Sequence, residues 1–264
     1  MLAWAVLRAI LADLHLGQRP GDSAAFVQAL EAVRHRGAEE LVLLGDVFRA
    51  LVGFSRFWDE SVRSGLAQLA ALRTSGIRVV MVEGNRDFFL DTDELSPFCD
   101  RAGPVHSFSA GGRRFLCEHG DTINRADRRY RFWRRLSKSR PARLWARLLP
   151  RRLAQRIVHG TEAQLARTNF SYRRALPEVL LEQAARRHFR AGVDVVLWGH
   201  FHRSWRFVDG QREALVLPAW LETRATTWVG SDGAIRAEPD DVGQFVDTAS
   251  RSWYQGRESN TAAR

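Results

Sequence analysis

Short apolar runs, each ending in a polar turn, are the feature of this sequence that most constrains its fold. Their apolar character is continuous rather than alternating, which is typical of strands covered on both faces. Helical patterns lie between them, at 22–36 and 58–75, and strands that alternate with helices predict an α/β or layered sandwich fold. The runs are "AVLRAILAD" (5–13), "ELVLLGD" (40–46), "IRVVMVEGN" (77–85), "RFLCEHGD" (114–121), "VDVVLWGH" (193–200) and "EALVLPAW" (213–220).

The 264 residues, 45% of them hydrophobic, suffice for one domain with a full core. We predict that this domain spans 1–240, with a helical insertion at about 125–175, and that the polar segment 241–264 is a flexible tail. The two cysteines, Cys99 and Cys117, do not suggest a disulfide framework and favour a reduced, cytoplasmic setting. No run reaches the roughly 18 apolar residues needed to span a bilayer.

The positive charge of the chain is concentrated in one segment. The formal net charge is +10, but residues 125–156 contain 13 Lys or Arg and a single acid. The remainder has 27 basic and 29 acidic residues, so its net charge is close to zero. The basic character therefore belongs to the predicted insertion and not to the surface as a whole.

Five of the apolar runs end in side chains that bind metals. The carboxyl ends of strands are where α/β sheets place their sites, so these groups are expected to converge. Each motif alone is ordinary, because Asp-x-His or Gly-Asp often just ends a strand and Gly-Asn-x-Asp is a common turn. Together, their carboxylate, imidazole and amide groups suit Mn, Fe or Zn. The motifs are Asp13-x-His15, Gly45-Asp46, Gly84-Asn85, His119-Gly120-Asp121 and Gly199-His200-Phe201-His202.

In their order, these motifs resemble those of the calcineurin-like metallophosphoesterases, over about residues 8–205. The resemblance implies a four-layered αββα sandwich of two mixed sheets around a centre of two divalent ions. Such a centre supplies an activated water and neutralises charge at phosphorus. The implied ligands are Asp13, His15, Asp46 and His202 for one ion, and the bridging Asp46 with Asn85, His119 and His200 for the other.

The third motif departs from the usual family pattern, which has histidine where this chain has Arg86. Arginine stays charged at ordinary pH and cannot serve as a general acid, but it can bind two phosphate oxygens at once. A leaving group that is itself a phosphate needs charge neutralisation more than a proton. Arg86 therefore indicates a pyrophosphate substrate, and the alternative is a salt bridge to Asp87 or a neighbouring carboxylate. The residues implied in catalysis are Asp13, Asp46, Asn85, Arg86 and His119.

A narrower resemblance rests on "GNRDF" (84–88) and "EHGDTINRADRRYRFWR" (118–134). Both are similar to the UDP-2,3-diacylglucosamine diphosphatases of lipid A synthesis. The resemblance implies Mn²⁺, attack of hydroxide on the α-phosphate, and release of UMP and 2,3-diacylglucosamine 1-phosphate. We expect a monomer that is peripheral on the cytoplasmic face of the inner membrane. The last motif departs from that group, with Phe201 in place of a small polar residue. The implied substrate contacts are Arg86, Asp127, Tyr130, Asn169 and Arg173.

The predicted insertion interleaves arginine with apolar and aromatic residues such as Trp133 and Trp145. On helices this gives an apolar stripe beside a basic face, the pattern of a helix at an anionic membrane surface. Nucleic-acid binding is a less favoured reading of the same pattern, and an ordinary helical hairpin with a solvated basic face is another. Two further functions stay open: hydrolysis of another nucleotide diphosphate or phosphodiester, and a binding module without turnover.

Overall fold

The computed structural model describes residues 7–157 and 176–239. The strands are β1 (Arg8–Ala12), β2 (Glu40–Leu44), β3 (Leu51–Val52), β4 (Arg78–Val82), β5 (Asp87–Phe88), β6 (Arg101–Gly103), β7 (Val105–Ala110), β8 (Arg113–Glu118), β9 (Val195–Trp198), β10 (Trp205–Asp209), β11 (Arg212–Val216), β12 (Ala225–Val229) and β13 (Ile235–Pro239). The helices are α1 (Asp22–His35), α2 (Glu60–Thr74), α3 (Arg128–Ser137), α4 (Arg140–Leu148), α5 (Glu178–Arg190) and α6 (Trp220–Thr223).

Two mixed sheets form the centre of the fold. The larger has the order β13-β12-β1-β2-β4-β6 and the smaller the order β10-β11-β9-β8-β7. Strands β1, β2 and β4 run parallel, as do β8, β9 and β11, while the outer pairs β12–β13, β7–β8 and β10–β11 are antiparallel. A third, two-stranded sheet joins β3 and β5. All six apolar runs therefore contain strands, as predicted.

The continuous apolar runs are explained by burial on both faces of the sheets. In β2, Leu41 and Leu43 point toward the helical layer that includes Phe26 of α1 and Leu66 of α2. The alternate residues of the same strand pack against the inner face of the smaller sheet. Helix α5 covers the outer face of that sheet. Layers therefore follow in the order helix, sheet, sheet, helix, which confirms the predicted αββα sandwich.

Residues 125–157, called the basic segment below, contain α3, α4 and a further helical stretch at 151–157. The basic segment lies against the helical layer of the larger sheet. Ala146, Leu149 and Ala154 are buried in the same hydrophobic cluster as the residues of that layer. Two charged contacts reinforce the packing: Arg143 binds the Asp91 carboxylate at 2.7 Å, and the Arg56 guanidinium donates to the Leu149 carbonyl at 2.9 Å. None of the described helices combines the length and apolar character that crossing a bilayer requires.

Candidate active site

The predicted ligands converge at one edge of the sandwich. Because β1, β2 and β4 run parallel, the loops that follow them leave the larger sheet at the same edge. The loops after β8 and β9 leave the smaller sheet beside them. The structure brings together all seven predicted ligands, which are Asp13, His15, Asp46, Asn85, His119, His200 and His202.

One half of the site is built by Asp13, His15 and His202. Their ligand atoms lie within 4.8 Å of one another. The Nε2 atoms of the two histidines are 3.2 Å apart, and Nε2 of His202 is 3.9 Å from Oδ1 of Asp13. The other carboxylate oxygen of Asp13 accepts the backbone N–H of His200 at 2.7 Å, which fixes the direction of the first oxygen.

The other half is built by Asn85, His119 and His200. Nε2 of His119 is 3.1 Å from the amide oxygen Oδ1 of Asn85. The rings of His119 and His200 meet edge to face, with centroids 5.1 Å apart. Burial lowers the pKa of His200 to about 4, with repulsion from His119 acting in the same direction, so its imidazole is neutral at physiological pH.

The Asp46 carboxylate lies between the two halves. Its Oδ2 is 4.0 Å from Nε2 of His15, and its Oδ1 is 3.7 Å from Nε2 of His119. Burial disfavours its charge, but His119, His15 and Arg86 outweigh that effect and lower its pKa. A charged carboxylate with one oxygen facing each half is the arrangement that a bridging ligand requires.

Several candidate ligands are held in an unusual backbone conformation. Seven non-glycine residues in the described part of the chain have positive φ, and five of them are candidate ligands with φ between 47 and 73°. This left-handed conformation costs a side-chain-bearing residue about 1–3 kcal/mol and tends to cluster at functional sites. The strained five are Asp13, His15, Asp46, His200 and His202.

Glycines allow the ligand loops to approach one another closely. A Cβ atom on Gly45 would lie 2.3 Å from Nδ1 of His119, and one on Gly199 would lie 2.8 Å from Oδ2 of Asp13. On Gly84 it would lie 2.2 Å from Oδ1 of Asp46. A side chain at any of these three positions would collide with a candidate ligand, so glycine is required there for steric reasons as well as for any turn.

We predict that Gly84→Ala displaces the Asp46 carboxylate and weakens binding of divalent metal by about 10-fold or more, the scale seen when support of a metal ligand is lost. Titration of the metal-free protein with Mn²⁺ measures this. Gly103→Ala is the matched control, because a Cβ there meets nothing within 4 Å. Equal metal affinity of the two variants would contradict the steric role of Gly84.

Two histidines are oriented by contacts on their second ring nitrogen. Nδ1 of His119 lies 3.1 Å from the Leu44 carbonyl and donates to that oxygen, so Nε2 is the ring nitrogen directed at the centre. Nδ1 of His202 lies 2.9 Å from the Glu222 carboxylate, which orients it in the same way. No sequence motif predicts Glu222, because it lies in α6, twenty residues beyond the histidine it supports.

These residues fit a pair of divalent ions. Nitrogen ligands about 2.0–2.1 Å from a common ion lie roughly 3.0–3.4 Å apart, and the His15–His202 separation of 3.2 Å falls in that range. Burial also lowers the pKa of His15 well below its usual value. Its imidazole is therefore neutral, and one ring nitrogen has a lone pair that can bind a cation. Oδ1 of Asp13 is buried without a hydrogen-bond donor among the described residues. A cation satisfies such an oxygen, which is otherwise costly to bury.

Arg86 and Asp87 have different positions in the centre. The Arg86 side chain is only 6% exposed, and its Nε lies 3.5 Å from Oδ2 of Asp46. Asp87 instead accepts backbone N–H groups of Asp46 at 2.9 Å and Gly84 at 2.8 Å. Burial and the charge of Asp46 raise the pKa of Asp87. Asp87 therefore joins the loop that carries Asp46 to the loop that carries Asn85. Arg86 instead directs its positive charge at the centre.

Two predicted substrate contacts are engaged with protein groups. The carboxylate of Asp127 caps α3 by accepting the Tyr130 N–H at 2.9 Å. The Tyr130 hydroxyl donates to Asp121, two residues after His119. Asn169 and Arg173, the other two predicted contacts besides Arg86, lie outside the described residues.

The phenylalanine of the last motif is directed away from the metal centre. Phe201 is 3% exposed and packs with Trp198 and Ile123 beneath α5, while the neighbouring His200 and His202 point to the centre. The departure at Phe201 therefore leaves the histidine pair in place.

We predict that Phe201→Thr lowers the free energy of unfolding by about 3 kcal/mol, because it leaves a cavity and buries a hydroxyl, while Mn²⁺ binding persists. Urea unfolding and metal titration measure the two effects. Phe132→Thr is the control, since Phe132 is 70% exposed and should change stability by less than about 0.5 kcal/mol. Loss of metal binding by folded Phe201→Thr protein would contradict this account.

Comparisons with known proteins agree with the geometry. The family model described as calcineurin-like phosphoesterase matches residues 8–204. A protein named UDP-2,3-diacylglucosamine hydrolase from Ralstonia nicotianae is 30% identical, covering 87% of this chain and 91% of its own. Proteins of the same name from Pseudomonas paraeruginosa and Pseudomonas putida are 33% and 31% identical, each over 80% of this chain and 89% and 90% of their own. The chain belongs to the calcineurin-like phosphoesterase family, as a metal-dependent hydrolase.

Proposed function

We propose that the protein hydrolyses the pyrophosphate of UDP-2,3-diacylglucosamine, giving UMP and 2,3-diacylglucosamine 1-phosphate. Water supplies the oxygen that bonds to the α-phosphorus, and the bond from that phosphorus to the bridging oxygen breaks. The bridging oxygen leaves with the sugar phosphate. The names of the relatives and the resemblance carried by the "GNRDF" segment of this chain support this substrate.

The placement of Arg86 is the observation that carries the proposal. Its guanidinium is buried beside Asp46 at the centre, and Nε has no hydrogen-bond acceptor among the described residues. Arg86 also donates from a terminal nitrogen to the Arg49 carbonyl at 3.5 Å. A substrate phosphate would offer Nε the acceptor oxygen it lacks, and arginine can bind two phosphate oxygens at once. A fixed positive charge there stabilises a leaving phosphate as its charge develops. An alkyl leaving group would need a proton instead, which arginine cannot supply.

The candidate ligands would hold two divalent ions. These ions, for which we propose Mn²⁺, would provide the activated water and neutralise charge on the phosphate. Asp46 would serve both ions, with Asp13, His15 and His202 on one side. Asn85, His119 and His200 would serve the other side. Glu222 and the Leu44 carbonyl fix the rings of two of these histidines.

A substrate panel tests the proposal. Purified protein with Mn²⁺ is incubated with UDP-2,3-diacylglucosamine, with UDP-glucosamine, and with bis(p-nitrophenyl) phosphate. We expect the acylated sugar nucleotide to have the highest kcat/KM, with UMP as product. Efficient cleavage of the simple diester without UMP release from the acylated substrate would overturn the assignment and favour a general phosphodiesterase.

We further propose that the basic segment contacts an anionic membrane surface, where a lipid-linked substrate resides. Helices α3 and α4 expose apolar side chains on the side away from the core. Arginines flank these side chains, and each basic residue near an anionic surface contributes about 1 kcal/mol. The exposed apolar residues are Phe132, Trp133, Leu136, Leu144, Trp145 and Leu148, at 51–71% exposure.

Vesicle sedimentation tests this surface. The protein should sediment with phosphatidylglycerol vesicles and much less with phosphatidylcholine vesicles. Trp133→Ser with Trp145→Ser should reduce binding, whereas Val179→Ser, which changes an equally exposed residue of α5, should not. Salt-sensitive DNA binding without vesicle binding would support a nucleic-acid surface instead.

A further inference from the structure

One face of α3 is directed at the metal centre. Tyr130 and Arg134 lie four residues apart, and Lys138 follows after four more, at the end of the helix. Residues with this spacing share one face of a helix. Their polar ends contact groups of the catalytic domain, while Phe132 and Trp133 of the same helix point outward.

The first contact of this face is with Asp121. Nε of Arg134 donates to its carboxylate at 2.8 Å, and the Tyr130 hydroxyl donates to the same oxygen. The Asp121 side chain is 4% exposed and that of Arg134 is 25% exposed, so water screens this ion pair only in part. Asp121 belongs to the loop that carries His119, and α3 therefore holds that loop from outside.

The second contact is with the loop that carries Asn85. Nζ of Lys138 donates to the Gly84 carbonyl at 3.0 Å and to Oε2 of Glu83 at 3.1 Å. The side chains of Lys138 and Glu83 are 12% and 16% exposed. The bond to the Gly84 carbonyl fixes the backbone immediately before the Asn85 ligand, and the ion pair with Glu83 holds Lys138 in place.

We infer that Arg134 and Lys138 are positioning residues for one half of the metal centre, the half made by Asn85, His119 and His200. The other half has a support of its own, since Nδ1 of His202 is held by the Glu222 carboxylate of α6. The basic segment thus has a role at the centre separate from any contact with lipid. This inference holds whichever phosphate ester the enzyme cleaves.

Metal titration separates the two halves. Metal-free protein is titrated with Mn²⁺, and free ion is counted by electron paramagnetic resonance. Arg134→Gln and Lys138→Gln should each weaken one of two binding steps by about 10–100-fold, the range for lost ligand support, and leave the other step unchanged. Arg134→Lys, which keeps the charge, should recover part of the loss.

Background variants identify the affected step. In His15→Ala protein, where the Asn85 half remains intact, Arg134→Gln should still weaken Mn²⁺ binding. In His200→Ala protein it should not. Arg135→Gln is the matched control, because Arg135 is an exposed neighbour on the same helix. Equal weakening of both steps, no weakening by either variant, or the same effect from Arg135→Gln would overturn the inference.

Discussion

Asp46→Ala is expected to reduce hydrolysis to the level of the protein-free reaction. One carboxylate faces both halves of the centre, with oxygens 4.0 Å from His15 Nε2 and 3.7 Å from His119 Nε2. If Asp46 bridges the two ions as proposed, its loss would remove a ligand from both at once, so the pair should not assemble. Steady-state kinetics and the number of Mn²⁺ ions bound per chain measure the effect.

Asp46→Asn serves as the companion variant to Asp46→Ala. It keeps the oxygen that accepts the Arg86 backbone N–H at 2.9 Å, but it removes the negative charge. We expect folded protein, by circular dichroism, with fewer than two bound ions and activity as low as that of Asp46→Ala. Either variant retaining both ions and rapid turnover would show that the centre does not depend on a bridging carboxylate.

Arg86→His is expected to retain metal and lose pyrophosphate turnover by about 10²-fold or more, as when a donor that stabilises developing charge is removed. Histidine restores the residue found at this position in most of the family, but not the permanent charge. The loss should therefore be smaller for a diester whose leaving group needs a proton. Measuring kcat/KM for both substrate types gives the ratio that tests this.

Arg86→Lys distinguishes charge from geometry. Lysine keeps the positive charge but cannot make two parallel bonds to phosphate, so intermediate activity is expected. Because Arg86 also pairs with the buried Asp46, metal stoichiometry must be measured for each variant. Full pyrophosphatase activity in Arg86→His protein would mean that Arg86 is only a structural partner of Asp46.

The sequence predicted the strands that carry the motifs, because those strands are buried on both faces and leave a continuous apolar signal. Strands β7 and β10 escaped prediction for the opposite reason. Their exposed positions interrupt the apolar pattern, and β10 has no fully buried residue. The two-residue strands β3 and β5 are too short for any periodicity.

The predicted ligands came from local motifs, whereas the supports of those ligands depend on contacts distant in sequence. Asp87 resembles an ordinary turn residue until its bond to the Asp46 N–H, 41 residues away, is seen. Glu222 has no motif at all. Asp127 and Tyr130 were predicted to bind substrate, and the structure adds roles as a helix cap and a partner of Asp121. Their contacts with substrate stay predictions.

Hydrolysis of UDP-2,3-diacylglucosamine in H₂¹⁸O tests the central claim most directly. The reaction is run with Mn²⁺ and with chelator, and both products are analysed by mass spectrometry. Attack at the α-phosphate, with Arg86 bound to the leaving phosphate, predicts metal-dependent release of UMP that carries one ¹⁸O, and unlabelled 2,3-diacylglucosamine 1-phosphate. Label in the sugar phosphate, or no UMP from protein that carries both ions, would contradict the account.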